Sequence, residues 1–212
     1  MYKRQYQDEH IVVVDKPSGF LSVPGRGIEK IDSVAHQIST NIPGCIDQPA
    51  VHRLDMDTSG LLVLALTKDA HRNLSKQFQD RLTEKEYVAL LDGTLPEKLG
   101  NSGTITLPFR LDIENRPHQI YDEIHGKMGT SHWRRISVRN GISRIHFQPI
   151  TGRTHQLRVH SAHPKGLGIP ILDDPLYGNG TDPGKMKLHA SKLSFDHPNT
   201  SERLTFTSPA PF

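Results

Sequence analysis

Residues 61–66, Leu-Leu-Val-Leu-Ala-Leu, form the longest uninterrupted apolar run in the chain, and no polar residue alternates with them. A strand with one face in water alternates. A short run that does not alternate must be covered on both faces, so this segment reads as a strand at the centre of a layered structure. Directly before it stands HRLDMD, residues 52–57, which sets an arginine and two aspartates against that buried strand. A loop held by a rigid strand is where reactive side chains are commonly displayed, and Arg53 and Asp55 are the residues so placed. The competing reading is structural: an aspartate before a strand is often only a turn or cap residue.

Other runs fill out the architecture. HIVVVDKPSG reads as a second buried strand, stopped by Lys16, Pro17 and Gly19. DAHRNLSKQFQDR reads as a helix, with Leu74 and Phe78 four residues apart on one face and Asp69 as its N-cap. Further strands are predicted at KEYVALLDG, GTITLPFRL, GTSHWRRISVRN, SRIHFQPI, KLHASKLSF and RLTFTSP. Fifteen prolines and seventeen glycines punctuate these runs, which suits many short strands joined by turns. There is no internal repeat or linker. The expected fold is α+β: one domain over residues 1–212, built on a large, mainly antiparallel mixed sheet, bent, flanked by helices and loops, with a central cleft.

Composition removes several classes of function. A single cysteine, Cys45, leaves no intramolecular disulfide and no thiolate-cluster zinc site, which points to a reducing compartment, the cytoplasm. The N-terminal MYKRQYQDEH has no apolar core of a signal peptide, and a six-residue run falls far short of the ~20 residues a membrane helix needs. Formal net charge is only +3, from 26 basic and 23 acidic residues. The distribution is more telling: residues 124–172 contain no aspartate or glutamate, yet hold Lys127, Arg134, Arg135, Arg139, Arg144, Arg153, Arg158 and Lys165. Such a one-signed stretch suits either a solvated basic face or a polyanion such as nucleic acid.

PITGRTHQLRVH, residues 149–160, brings Arg153, His155, Arg158 and His160 together behind a predicted strand. An Arg158–Asp55 pair would keep that carboxylate ionised and oriented where solvent is excluded, as a reacting carboxylate requires. His155, His160 and His163 match no helical zinc spacing, so no metal is expected. VPGRG and YGNGTDPG lack the pattern of a phosphate loop, and no dinucleotide fingerprint occurs, so no nucleotide cofactor is expected.

Taken in order, DEHIVVVDKPSG, HRLDMDTSGLLV, KEYVA, ITGRTHQLRVH and KLHASKL resemble the motifs of the RluA-type pseudouridine synthases, over nearly the whole chain. The resemblance is to the compact branch that lacks an N-terminal S4 domain. It implies cofactor-free isomerisation of uridine to pseudouridine in RNA, either a hairpin of 23S rRNA, the tRNA anticodon stem-loop, or both. It further implies catalytic roles for Asp55, for Tyr87 of KEYVA as the residue on the target base, and for Arg158 as the partner of Asp55. Arg53 would help displace the target nucleotide, and Arg153 would contact the RNA backbone or loop. The enzyme would be a cytoplasmic monomer whose partner is RNA and not membrane. Gly129 and Ser131 stand where alanine and threonine are commoner in such proteins. Two other classes are weighed against this one. A glycoside hydrolase would need a second carboxylate about 5 to 10 Å away, for which Asp57 is the nearby candidate. A non-catalytic RNA-binding module would explain the basic stretch but would not need Asp55.

Overall fold

The computed structural model describes residues 2–212. In chain order the elements are β1 (Lys3–Gln7), β2 (Ile11–Lys16), α1 (Val34–Asn41), β3 (Ser59–Ala65), α2 (Lys68–Gln79) and β4 (Glu84–Leu91). They continue with β5 (Ser102–Leu111), β6 (Gln119–Tyr121), β7 (Lys127–Arg139), β8 (Ile142–Pro149), α3 (Gln156–Ala162), β9 (Leu188–Asp196) and β10 (Arg203–Thr207). The α+β class is borne out, with ten strands and three α-helices among the described residues. The chain divides into two compact units, one running up to Lys85 and completed by Ala190–Pro211, the other Glu86–His189 with Phe212.

In the first unit β1 pairs with β2, β2 with β3, and β10 with β9, all antiparallel. Every residue of β3 is buried, as the apolar run requires. Leu61, Val63 and Ala65 face Leu74 of α2, Leu193 and Phe195, while Leu62 and Leu64 on the other face are equally dry. Burial of each such side chain contributes about 1.5 to 3 kcal/mol, so this strand is a stiff base for the loop that precedes it. Gly60 enters the strand at φ +110, and a Cβ there would lie 2.3 Å from the carbonyl oxygen of Ala190. No side chain fits that approach.

The second unit is antiparallel in each described pairing, β4 with β8, β8 with β7, β7 with β5 and β5 with β6. Its core joins Ile105, Phe109, Trp133, Ile145 and Phe147 to Leu157 and Val159 of α3. Gly129 has a physical reason here: a Cβ on it would meet the Phe109 ring at 2.6 Å.

Two helices and two strands, β1 and the three-residue β6, escape the sequence reading. α1 and α3 are only eight and seven residues long, and residues 156–161 of α3 are all buried, so no amphipathic period is displayed. β1 is almost wholly exposed and carries no apolar run. The cap of α2 also differs from expectation. Thr67, not Asp69, is the N-cap, because the helix begins at Lys68, two residues earlier than an Asp69 cap would start it, and the Thr67 hydroxyl accepts from the Ala70 N–H at 3.2 Å. Asp69 sits in the first turn, where its charge favours the helix N-terminus and meets exposed Arg72.

Candidate active site

The HRLDMD loop of the first unit is held at several of its main-chain atoms. The Ser22 hydroxyl donates to the Leu54 carbonyl at 2.8 Å and accepts from the Leu54 N–H at 3.0 Å, so both polar groups of the residue between Arg53 and Asp55 are held. Thr58 N–H closes a turn onto the Asp55 carbonyl at 3.1 Å, and Ser18 Oγ donates to the Asp57 carbonyl at 2.5 Å. His52 anchors the start: its ring stacks on Phe78 with centroids 4.4 Å apart, and Nε2 accepts from the Val63 N–H at 3.1 Å. Burial, and secondarily the Lys85 ammonium, push the His52 pKa down to about 3. The ring is therefore neutral with its proton on Nδ1, the state in which Nε2 can accept.

Within this frame Asp55 is half-buried, Arg53 is exposed and Asp57 is buried. Asp55 is thus wetter than the sequence reading expects. That reading also misses Lys16, among the largest fully buried side chains in the protein's described residues. Its Nζ donates to the carbonyls of Pro17 at 2.9 Å, Phe20 at 2.7 Å and Met56 at 2.9 Å, using all three ammonium donors. Burial lowers its pKa to about 8, against the opposing pull of the Asp55 and Asp57 carboxylates. Lys16 therefore does two things: it pins the motif loop at Met56 and sets a positive charge in the surroundings of Asp55. A lysine at the end of an apolar strand, followed by Pro-Ser-Gly, was the available signal.

In the second unit Tyr87 lies on β4 opposite Phe147 and packs, partly buried, on that unit's core. The 151–155 loop is ordered by one amide. Gln156 Oε1 accepts from Thr151 Oγ1 at 2.6 Å and from the Arg153 N–H at 3.1 Å, while Nε2 donates to the Thr130 carbonyl at 3.0 Å and Ser131 Oγ at 2.9 Å. Ser131 is thus an acceptor in this set. Arg153 itself is exposed. His155 turns the chain into α3 at φ 56, with Nδ1 2.8 Å from the Tyr177 hydroxyl.

Arg158 is 2 % exposed, the buried cation that the sequence reading asks for. Within its own unit its partner is Asp174, which that reading did not name: Nε donates to Oδ2 at 2.9 Å and Nη2 to Oδ1 at 2.6 Å. Asp174 lies two residues beyond the acid-free stretch. His160 is also buried and meets Phe109 edge-on, and burial pushes its pKa down to about 4. Among the described residues no cluster of three or more His, Cys, Asp or Glu could hold a metal ion.

Comparison with known proteins gives these residues a context. Residues 10–163 match the family model for RNA pseudouridylate synthase. The chain is 44 % identical over 98 % of its length to the "Dual-specificity RNA pseudouridine synthase RluA" of Haemophilus ducreyi, covering 92 % of that protein. It is 42 % identical, over 98 % of both chains, to the protein of the same name in Yersinia pestis. Against Escherichia coli K12 RluA it is 42 % identical over 98 % of this chain and 92 % of that one. Among solved structures, human RNA Pseudouridylate Synthase Domain Containing 1 superposes with a TM-score of 0.78 at 29 % identity, over 100 % of this chain and 84 % of the other. Human RNA Pseudouridylate Synthase Domain Containing 4 shares the fold, with a TM-score of 0.74 at 23 % identity over 99 % and 88 %.

Proposed function

Since this chain belongs to the RNA pseudouridylate synthase family, we propose that its pseudouridine chemistry is carried by Asp55, Tyr87 and Arg158, with Arg53 and Arg153 on the RNA. The protein is an isomerase that makes pseudouridine in RNA. The N1–C1′ glycosidic bond of a uridine breaks, the sugar is rejoined at C5, the C5 proton leaves and N1 gains one. Product and substrate are isomers, so the reading names no redox or group-transfer cofactor.

The observation that carries the assignment is the Asp55 loop itself. A half-buried carboxylate is presented on a segment clamped at Leu54, Met56 and Asp57, with the Lys16 ammonium in its surroundings. A preorganised, charged carboxylate is what attack on the sugar or the base requires. Tyr87 packs on the target base and takes the C5 proton, and Arg158 serves as the catalytic arginine. A base inside a stem is unreachable, so it is flipped out at a cost of a few kcal/mol. Arg53, exposed beside Asp55, acts on that step. Arg153 meets phosphate, and the acid-free stretch around it adds counterion-releasing contacts.

Both a 23S rRNA hairpin and the tRNA anticodon stem-loop are proposed as substrates, supported by the dual-specificity names of the relatives. The protein is read as a cytoplasmic monomer working as a single catalytic domain. No helix among the described residues is long and apolar enough to cross a membrane. The test uses transcripts of tRNA and of large-subunit rRNA labelled with tritium at uridine C5. Enzyme should release tritium to water and leave pseudouridine in the digested nucleosides. Free uracil would favour the two-carboxylate hydrolase, and unchanged RNA the binding module.

A further inference from the structure

The segment after the acid-free stretch, DDPLYGNG at residues 173–180, plays no part in the roles assigned above, yet its side chains are tied closely into the second unit. Asp174 is fully buried. Its carboxylate takes Arg158 in the two-pronged pair, and Oδ1 also accepts from the Leu176 N–H at 2.9 Å and the Tyr177 N–H at 3.2 Å. Its carbonyl accepts from Gly178 and Gly180 N–H, each at 3.1 Å. A Cβ on Gly180 would lie 2.3 Å from the Asp173 carbonyl, so the turn closes only around glycine. The same turn lays the Tyr177 ring 5.3 Å from Arg158 Cζ, and the Tyr177 hydroxyl meets His155 Nδ1 at 2.8 Å and the Gln119 N–H at 2.7 Å.

These contacts remove the two freedoms a guanidinium has. The fork onto Asp174 fixes rotation within its plane and uses the Nε–Nη2 edge, and the aromatic face fixes the tilt of the plane. Resting on the reading that Arg158 serves the reaction, we propose that Asp174 and Tyr177 are positioning residues for Arg158, fixing the plane and direction in which its guanidinium is presented. Asp174 also balances the arginine's charge. Arg158 thus contributes hydrogen-bond geometry more than net charge, which Lys16 supplies to Asp55 from its own unit.

The test is a double-mutant cycle on single-turnover tritium release, with RNA affinity measured in parallel. Asp174→Asn should slow the step about a hundredfold, the scale of a misaimed catalytic group, with RNA affinity within about threefold of the parent. Asp174→Glu, which keeps charge but displaces it by one methylene, should recover thermal stability and not the rate. Lysine has no fork to aim, so in an Arg158→Lys background Asp174→Asn should alter the residual rate less than about threefold. Should Asp174→Asn fail to fold, Tyr177→Leu keeps the ion pair and removes the ring from the guanidinium face. It should slow the step about tenfold at unchanged affinity. A parent-like rate in Asp174→Asn, or in Tyr177→Leu where only that variant folds, overturns the proposal while Arg158→Lys is damaged. Multiplicative losses in the cycle overturn it too. A parent-like Arg158→Lys instead overturns the catalytic reading of Arg158, and this proposal with it.

Discussion

The two units hold their functional residues by opposite means. Around Asp55 the fastening groups are the side chains of Lys16, Ser18 and Ser22, and each grips main-chain atoms of the motif loop. Around Arg158 the grip is side chain on side chain: Asp174 on the guanidinium, Tyr177 on His155, Gln156 on Thr151 and Ser131. In the first case these fastenings hold backbone that every residue type shares, so they survive a change of side chain at 55 or 57. In the second, the candidate residue Arg158 is itself a strut, so changing it should disturb the fold as well as any chemistry it serves.

The sharpest contrast should come from removing each functional group in turn. Asp55→Asn should lose at least about a thousandfold in single-turnover rate, as expected for a missing reacting group, with an unfolding midpoint close to the parent's. Arg158→Ala should lose rate as well, and also about 3 to 5 kcal/mol of stability, because Asp174 is left buried without its counter-charge. Equal stability losses in the two variants would erase the distinction between the units.

Lys16→Met asks whether the first unit's grip is a single fastening. Three carbonyls lose their donor, and the loop's anchor at Met56 is released. Stability should fall on the order of 3 kcal/mol, read as a lower denaturant midpoint at unchanged slope, and the rate should fall with it. A variant that keeps both would show that the serines and His52 suffice.

Each unit also holds an imidazole whose pKa burial pushes down, His52 in the first and His160 in the second, and these should respond to pH alike. The folded-state pKa values of His52 and His160 lie below the unfolded value of about 6.5, so the unfolded chain binds more protons in between. Their contribution is complete above about pH 6.5 and is lost as pH falls, down to about 4 for His160 and about 3 for His52. The slope is about 1.4 kcal/mol per pH unit for each group. His160→Leu should make the decline between pH 6.5 and 4 shallower; an unchanged slope would assign it to carboxylates elsewhere.

The smallest effect belongs to Asp57→Asn. Its carbonyl, not its carboxylate, is what Ser18 holds, so the loop should survive and the rate should stay within about threefold of the parent. An inactive Asp57→Asn would restore the two-carboxylate hydrolase as the better reading.

Much of this molecule is legible along the chain. The unbroken apolar run predicts a strand covered on both faces, and β3 is one. Alternation and turn residues locate most of the remaining strands, and the HRLDMD and GRTHQLRVH patterns single out Asp55 and Arg158 because charged residues rarely crowd against apolar runs without cause. What stays hidden has a common origin. α1 and α3 are too short to show a period, and α3 is buried on every side through residue 161. Thr67 and Asp69 are both acceptable caps by type, and only the φ/ψ of the first turn chooses between them.

The motif order, the class of fold and the candidate residues of the site follow from the sequence alone, because they rest on local patterning and on covalent neighbours. The partners of those residues do not. Lys16 lies forty residues from Met56, and Arg158 sixteen from Asp174. Nothing in residue type tells a lysine that will face water from one that will cap three carbonyls. Burial makes that choice, since an ammonium or guanidinium removed from water must find its hydrogen bonds within the protein, and only the tertiary structure decides which groups are within reach.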